Sequence, residues 1–466
     1  MTMLTKCVTG IQGFDEISGG GLPQGRPTLV CGSPGCGKTL LGMEFLVRGA
    51  LEYGEPGVFI SFEETEEELK RNFFSTGFDL QGLIDRNKIV IDHVWIDRSE
   101  IEETGEYDLD GLFIRLASAI DQIGAKRVVL DTIEALFSGF SNEGILRSEL
   151  RRLFRWLKDK GLTAIITAER GKDTLSRQGL EEYVADCVIL MDHRVVGQIS
   201  TRRLRIVKYR GSTHGADEYP FLISPTGIWL VPITSLSLNH EASEDRVGTG
   251  ISALDTMLGG KGYYRGSSIL VSGTAGTGKT SLASHFIDSV CSSGERTLFV
   301  SFEESPKQIV RNMKSIGINL DHWLENGLLK FHSMRPSQYG LESHLSIIHM
   351  AIDEFKPAAV VIDPISSFVA QGPASEVKEM VLRLIDFLKT SSITALCTDL
   401  IHGGIALEQT EVGMSSIMDT WLLLRSQECG GERNRTFYIA KSRGMKHSHQ
   451  IREFRLTDSG VELVDA

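Results

Sequence analysis

Short runs of Val, Ile, Leu and Phe alternate along the chain with stretches in which apolar residues recur every three or four positions. In the first half the runs Thr28–Cys31, Val58–Phe62, Lys88–His93, Arg127–Leu130 and Thr163–Thr167 predict strands. Helical patterns fall between them; Leu40–Tyr53, with Leu, Met, Phe and Val at helical spacing, is one. Strands that are apolar on both faces and joined by helices predict a mainly parallel α/β sheet. After Ala185 the pattern changes. Cys187–His193, Arg203–Tyr209, Tyr219–Ser224 and Gly227–Ile233 follow one another with no helical stretch between them, which predicts an antiparallel extension of the same sheet. No apolar run approaches the about 18 residues that a membrane span requires. The longest, Thr163–Ala168 and Trp421–Leu424, read as buried strands.

The same pattern occurs twice. Thr9–Asp15 (TGIQGFD) returns as Thr249–Asp255 (TGISALD), and Gly32–Thr39 (GSPGCGKT) as Gly273–Thr280 (GTAGTGKT). Phe59–Glu64 (FISFEE) returns as Phe299–Glu304 (FVSFEE), Val128–Asp131 as Val360–Asp363, and Lys208–Gly211 (KYRG) as Lys441–Gly444 (KSRG). The offset is 240 or 241 for the first three pairs and 232 or 233 for the last two. Order is kept throughout, so the chain reads as two domains, 1–240 and 241–466, rather than the three that 466 residues would suggest at about 150 each. The polar stretch near Leu236–Val247 separates them. The drop of eight in the offset places a longer loop in the first half, around the acidic run Ser99–Asp108.

Composition narrows the function. The chain carries 49 Lys+Arg against 61 Asp+Glu, a formal net charge of −12. General binding to nucleic acid or to an anionic membrane needs a basic surface and is not expected. The N-terminus lacks an apolar signal segment. Seven scattered cysteines, none in a C-x-x-C pair, suit neither a disulfide framework nor a zinc site. A soluble, cytoplasmic, reduced protein is the expectation.

Gly32-x-x-x-x-Gly37-Lys38-Thr39 follows a strand and opens a helix, the context of a P-loop. Gly32, Ser33, Pro34, Gly35, Cys36, Gly37, Lys38, Thr39 and Leu40 would wrap the phosphates of ATP with backbone N–H groups, Lys38 meeting the β and γ oxygens and the Thr39 hydroxyl a Mg²⁺ ion. Gly273, Thr274, Ala275, Gly276, Thr277, Gly278, Lys279, Thr280 and Ser281 repeat the arrangement. Asp131 and Asp363 end apolar strands, as a carboxylate holding a Mg²⁺-bound water must. Glu63–Glu64 and Glu303–Glu304 end the second strand of each half. Alternation along a strand would turn only one of each pair to the γ-phosphate, where a carboxylate can activate a nucleophile. For Glu63 and Glu64, inside the run EETEEE, acid enriched at a helix start is the competing explanation. Lys208 with Arg210, and Lys441 with Arg443, lie far in sequence from their own P-loops; in a ring they can reach a neighbour's γ-phosphate, although basic residues on a strand are more often solvated surface.

Taken together, these motifs resemble the KaiC family, tandem RecA-type ATPases with autokinase activity. The likeness runs from about Thr9 to Leu456 and includes Arg210–His214 (RGSTH), Glu218–Phe221 (EYPF), Phe355–Ala358 (FKPA), Met418–Leu424 (MDTWLLL) and Ile451–Phe454 (IREF). The resemblance implies slow ATP hydrolysis by the first domain and a homohexameric ring, with stacking into a dodecamer left open. It also implies phosphoryl transfer by the second domain to an adjacent pair of hydroxyls on a neighbouring protomer. Here that pair is Ser415 and Ser416, the latter standing where the family has Thr. Thr410 matches a further family hydroxyl, and Glu411 stands in place of an Asp. Glu303, aided by Glu304, would be the general base. The chain stops at Ala466, shortly after IREF, so recruitment of KaiA through a C-terminal tail is not expected. The run Ser99–Asp108 is unlike the family's KaiB-docking region, which leaves a KaiB-like partner on the first domain open.

Two other functions share these motifs. A RecA- or DnaB-like motor on single-stranded DNA needs basic, aromatic-bearing channel loops, but Gly171–Gly179 has two Lys/Arg and no aromatic residue, and Gly403–Gly413 has neither. An ATP-gated scaffold would leave Ser415 and Ser416 unmodified, the pair serving only as a turn or cap.

Overall fold

The computed structural model describes residues 4–95, 109–137, 143–171, 175, 185–196, 199–231, 243–401, 413–429 and 432–465. The acidic run Ser99–Asp108, Thr410, Glu411, most of both channel-loop candidates and the stretch 232–242 lie outside the described residues. The chain divides into two compact units, Met1–Thr234 and Ser235–Ala466.

In the first unit β1 (Lys6–Cys7) pairs with β2 (Leu22–Pro23) as a small ribbon. The main sheet contains β3 (Pro27–Gly32), β4 (Gly57–Ser61), β5 (Ile89–His93), β6 (Arg127–Asp131), β7 (Thr163–Glu169), β8 (Cys187–Val196), β9 (Ile199–Tyr209), β10 (Tyr219–Ser224) and β11 (Gly227–Leu230). Their order is β11-β10-β9-β8-β3-β7-β6-β4-β5. Strands β3 to β8 run parallel, and β9 to β11 continue antiparallel. Both the apolar runs and the switch after Ala185 therefore have the structure expected of them.

Alternation explains why these runs are apolar throughout. Val30, Phe59, Val129 and Ile165 pack on one face with Leu41, Phe45, Leu69 and Leu80. Their neighbours Leu29, Val58, Val128 and Ile166 pack on the other with Leu112, Leu116, Leu150 and Leu153. Each strand has lost both faces to helices, so apolar residues are favoured at either parity, and the buried polar ones, such as Arg127 and Thr167, need partners of their own.

The second unit repeats the plan. β12 (Arg246–Val247) and β13 (Tyr263–Tyr264) form its ribbon. β14 (Ser268–Gly273), β15 (Thr297–Ser301), β16 (Leu329–Ser333), β17 (Ala359–Asp363), β18 (Thr394–Leu400), β19 (Thr420–Cys429), β20 (Glu432–Ser442), β21 (Arg452–Thr457) and β22 (Gly460–Asp465) form its sheet. The order is β16-β15-β17-β18-β14-β19-β20-β21-β22.

In both units the helix that starts at the P-loop lysine (Lys38–Glu52 and Lys279–Ser292) is tied to the last hairpin of the sheet. Glu44 is fully buried, pairs with Arg48 at 2.7 Å and accepts a hydrogen bond from Ile228 N at 2.7 Å. At the equivalent position in the second unit, His285 Nε2 accepts from Val461 N at 2.8 Å. The residue before each amide is a left-handed glycine, Gly227 at φ 110° and Gly460 at φ 107°. A Cβ there would come within 2.3 Å of Glu44 Oε1 or 2.4 Å of His285 Nε2, so the close approach requires glycine as much as the backbone angle does.

Candidate active sites

Each P-loop leaves the carboxyl end of a central strand, β3 or β14, flanked on both sides by parallel strands. This is the end of an open α/β sheet where ligands bind. The helix after it begins on a left-handed glycine, Gly37 (φ 107°) or Gly278 (φ 102°). Close packing also demands glycine at the strand end. A Cβ on Gly32 would sit 2.7 Å from Met191 O, and one on Gly273 2.8 Å from Leu424 O. By contrast, Gly35 (φ 73°) and Gly276 (φ 76°) face open space, with no atom within 4 Å of a would-be Cβ. In the first unit the P-loop opens onto a cavity of about 310 Å³ lined by Gly35, Lys38, Thr39, Glu64, Asn72 and Phe73, among others.

The lysines curl over their own loops. Lys38 Nζ donates to Gly32 O at 2.9 Å and Ser33 O at 3.2 Å; Lys279 Nζ donates to Gly273 O at 2.8 Å and Thr274 O at 2.9 Å. Burial pulls the Lys279 ammonium down, an effect that Asp363, Asp399 and Glu303 oppose.

Beside each lysine stands the strand-terminal aspartate. Thr280 Oγ1 donates to Asp363 Oδ2 at 2.8 Å, and Thr398 Oγ1 holds the other carboxylate oxygen. Thr39 and Thr167 do the same for Asp131. Burial pushes both carboxyls up, against the threonine hydrogen bonds. A carboxylate desolvated in this way, beside a hydroxyl and an ammonium, fits a hydrated divalent cation, and the open glycine face fits phosphates. Thr167 and Thr398 were not singled out from sequence. Their signal is the recurrence of Thr163-x-x-x-Thr167 as Thr394-x-x-x-Thr398.

The glutamate pairs differ from expectation in one respect. β4 stops at Ser61 and β15 at Ser301, so the pairs lie beyond the strands and strand alternation does not orient them. A capping box starts the next helix: Thr65 with Glu68 in the first unit, Ser305 with Gln308 in the second. The acid that favours the helix start is thus Glu66–Glu68, and Glu63 and Glu64 precede the cap. Thr132 Oγ1 donates to Glu63 Oε1 at 3.1 Å, and Ser367 Oγ donates to Glu303 Oε1 at 3.2 Å. Glu64 turns the other way, accepting from Asn72 Nδ2 at 2.9 Å, and burial pushes its carboxyl up. Thr132, Ser367 and Asn72 had no sequence signature.

A second group of candidates sits elsewhere. Ser415 and Ser416 lie in a 3₁₀ turn, Met414–Ser416, just before β19. Lys441 Nζ donates to Ser415 O at 2.6 Å and an Arg443 Nη to Ser416 O at 2.7 Å. Burial, with Arg443 nearby, lowers the Lys441 ammonium. This cluster adjoins the start of β14, where Asp419 accepts from Ser268 N at 2.9 Å. The P-loop is at the other end of that six-residue strand, about 17 Å away at about 3.3 Å per residue. Glu303 follows β15, five strands across the sheet from β20, or about 24 Å at about 4.8 Å per step. Lys208 and Arg210 are placed the same way: Lys208 pairs with Val188 near the start of β8, whereas Gly32 pairs with Met191. Within one unit, then, P-loop, aspartate and glutamates come together, and the basic pair and the serines do not join them.

Paired P-loops on two such sheets, each with its strand-end aspartate and hydroxyl-held glutamate, define a tandem RecA-like P-loop ATPase. A family model described as "ATPase: KaiC" matches residues 7–235 and again 247–466. The chain is 58% identical over 465 residues to the circadian clock protein KaiC2 of Synechocystis sp., covering 99% of this chain and 82% of that protein. It is 39% identical to the circadian clock oscillator protein KaiC of Parathermosynechococcus lividus and 38% identical to that of Synechococcus elongatus, covering 99% of this chain and 86% and 90% of those proteins. This chain belongs to the KaiC family of ATPases. No helix among the described residues is long and apolar enough to cross a membrane.

Proposed function

We propose that the first unit hydrolyses ATP and that the second transfers the γ-phosphoryl group of ATP to Ser415 or Ser416 of a neighbouring protomer in a homohexamer. The observation that carries this reading is the roughly 17 Å and 24 Å separation of the serine–Lys441–Arg443 cluster from its own P-loop and Glu303. A protomer whose acceptor and nucleotide cradle lie at opposite ends of its strands needs a second copy to close the reaction. A closed ring gives each cradle such a neighbour.

In this account Lys38 and Lys279 leave their carbonyl partners for the β and γ oxygens. Asp131 with Thr39, and Asp363 with Thr280, would hold Mg²⁺, which supplies charge neutralisation of the phosphates. Glu303 takes the serine hydroxyl proton as that oxygen bonds to the γ-phosphorus and the bond to the bridging β–γ oxygen breaks, releasing ADP. In the first unit Glu63 and Glu64 act on a water in the same way. Lys208 with Arg210, and Lys441 with Arg443, face the nucleotide of the next protomer and stabilise charge on the transferring group.

Lys441 and Arg443 also donate to the carbonyls of Ser415 and Ser416, which ties the acceptors to the cations that act in trans on this reading. Phosphosite mapping after incubation with ATP and Mg²⁺ tests the reading. Phosphate is expected on Ser415, Ser416 or both; hydrolysis with no phosphoserine would leave an ATPase scaffold in its place.

A further inference from the structure

Arg335 lies just beyond β16, the edge strand beside β15. Its Nη1 donates to Glu303 O at 3.1 Å. With Glu303, Glu304, Ser305 and Gln338 it lines a cleft of about 200 Å³. The turn that carries it is anchored from below. Met334 N donates to Ser301 O at 3.0 Å, and the fully buried His344 contacts Pro336 O through Nε2 at 2.8 Å. The His344 ring is packed among Phe302, Phe368 and Tyr339. Arg335 itself is exposed, so a fixed base presents a solvent-facing guanidinium at the edge of the candidate catalytic carboxylates.

In the first unit the matching position carries no cation. Val94 N donates to Ser61 O at 2.9 Å as Met334 N does to Ser301 O, which aligns Arg335 with Trp95. The acceptors are missing there too. Arg210 N donates to Asp186 O as Arg443 N does to Asp419 O, and the five residues before Asp186 include no serine or threonine. The arginine and the adjacent serines thus occur in the same unit, and at the matching positions the first unit has neither.

Adjacent acceptors create an electrostatic problem that a single acceptor does not. Neighbouring Cα atoms are about 3.8 Å apart. When the second serine reaches Glu303, the phosphate already on the first carries about 1.5 to 2 negative charges beside two carboxylates. A guanidinium offers five N–H donors in a planar fork that suits phosphate, and the Glu303 carbonyl engages only part of it. We infer that Arg335 is a phosphoserine-recognition residue that binds the first phosphate and so permits the second phosphorylation, making it specificity-determining for the doubly modified product. The inference rests on the autophosphorylation proposed above.

The test is a time course of intact mass on the full chain with ATP and Mg²⁺, resolving zero, one and two phosphates. It compares wild type with Arg335→Gln, Arg335→Lys and Arg335→Trp, the last copying the first unit. In Arg335→Gln and Arg335→Trp the first phosphate is expected at the wild-type rate within about twofold, and the second slowed at least about tenfold, the scale of one lost charge-assisted hydrogen bond. Arg335→Lys, which keeps the charge without the fork, is expected to fall between. Equal slowing of both steps, or no change in either, overturns the inference. A wild type that stops at one phosphate also overturns it while leaving the autokinase reading intact, whereas a wild type that takes up none sinks both.

Discussion

Replacing Glu303 by Gln isolates the proton-accepting role from everything else this side chain does. The carboxylate accepts one hydrogen bond, from Ser367 Oγ at 3.2 Å, and glutamine can accept the same bond through its amide oxygen. Its carbonyl, which receives Arg335, is untouched. The fold should therefore be preserved, and the melting temperature should stay within about 2 °C of wild type, since no buried group loses a partner. What disappears is the base. A positioned general base contributes about 10²- to 10⁴-fold to rate, or about 2.7 to 5.4 kcal/mol of barrier at 1.36 kcal/mol per decade. Phosphoserine formation followed by intact mass should slow by at least about a hundredfold, while ATP hydrolysis by the first unit, measured as phosphate release, continues. Glu304→Gln is the control: its effect should be smaller if Glu303 alone takes the proton. A Glu303→Gln protein that phosphorylates itself at the wild-type rate would refute the assignment of the base.

Two further outcomes follow from the buried charges. The raised carboxyls of Asp131 and Asp363 mean that the folded state holds their protons more tightly than the unfolded chain, so each costs stability as pH rises from the ordinary aspartate range through its raised folded value. Asp363→Asn should therefore melt higher than wild type at neutral pH without nucleotide, yet lose Mg²⁺-dependent ATP stabilisation; a lower melting point would contradict the sign. Arg127 is only 1% exposed, pairs with Glu55 at 2.7 Å and donates to Phe45 O and Val8 O. Arg127→Ala leaves the Phe45 and Val8 carbonyls without their donor and takes its partner from the half-buried Glu55, and should cost the first unit about 2–6 kcal/mol in denaturant unfolding, at about 1–3 kcal/mol for each orphaned carbonyl; a loss under about 1 kcal/mol would show that these contacts are dispensable.

Much of the fold was legible because parallel strands buried on both faces favour apolar residues at both parities. Leu29, Val30 and Cys31 are apolar for two different packing partners, and the run shows it. The P-loops were legible because Gly37 and Gly278 must adopt left-handed angles and Gly32 and Gly273 have no room for a side chain. The orientation of the glutamates was not. Reading them as strand residues applied a two-residue period to positions past the strand end, where Thr132 and Ser367, far away in sequence, set the direction instead. Contacts such as Glu44 with Ile228 and His285 with Val461 join segments more than 170 residues apart. Moreover, they place glutamate and histidine in one role, so even the internal repeat hides them. The separation of the serines from their own Glu303 emerges only once the strand order is known, because β14 and β15 are successive in sequence but separated by β17 and β18 in the sheet.

The central claim is that the phosphoryl donor and its acceptor belong to different copies of the chain. Coexpression of Lys279→Ala, whose second-unit cradle lacks its lysine, with a Ser415→Ala/Ser416→Ala chain of distinguishable mass tests it directly. Each variant alone should remain unphosphorylated on these positions. In the mixed assembly given ATP and Mg²⁺, phosphate should accumulate on the Lys279→Ala chain. A mixed assembly that stays unmodified beside a phosphorylated wild type would place donor and acceptor in one copy and contradict the account.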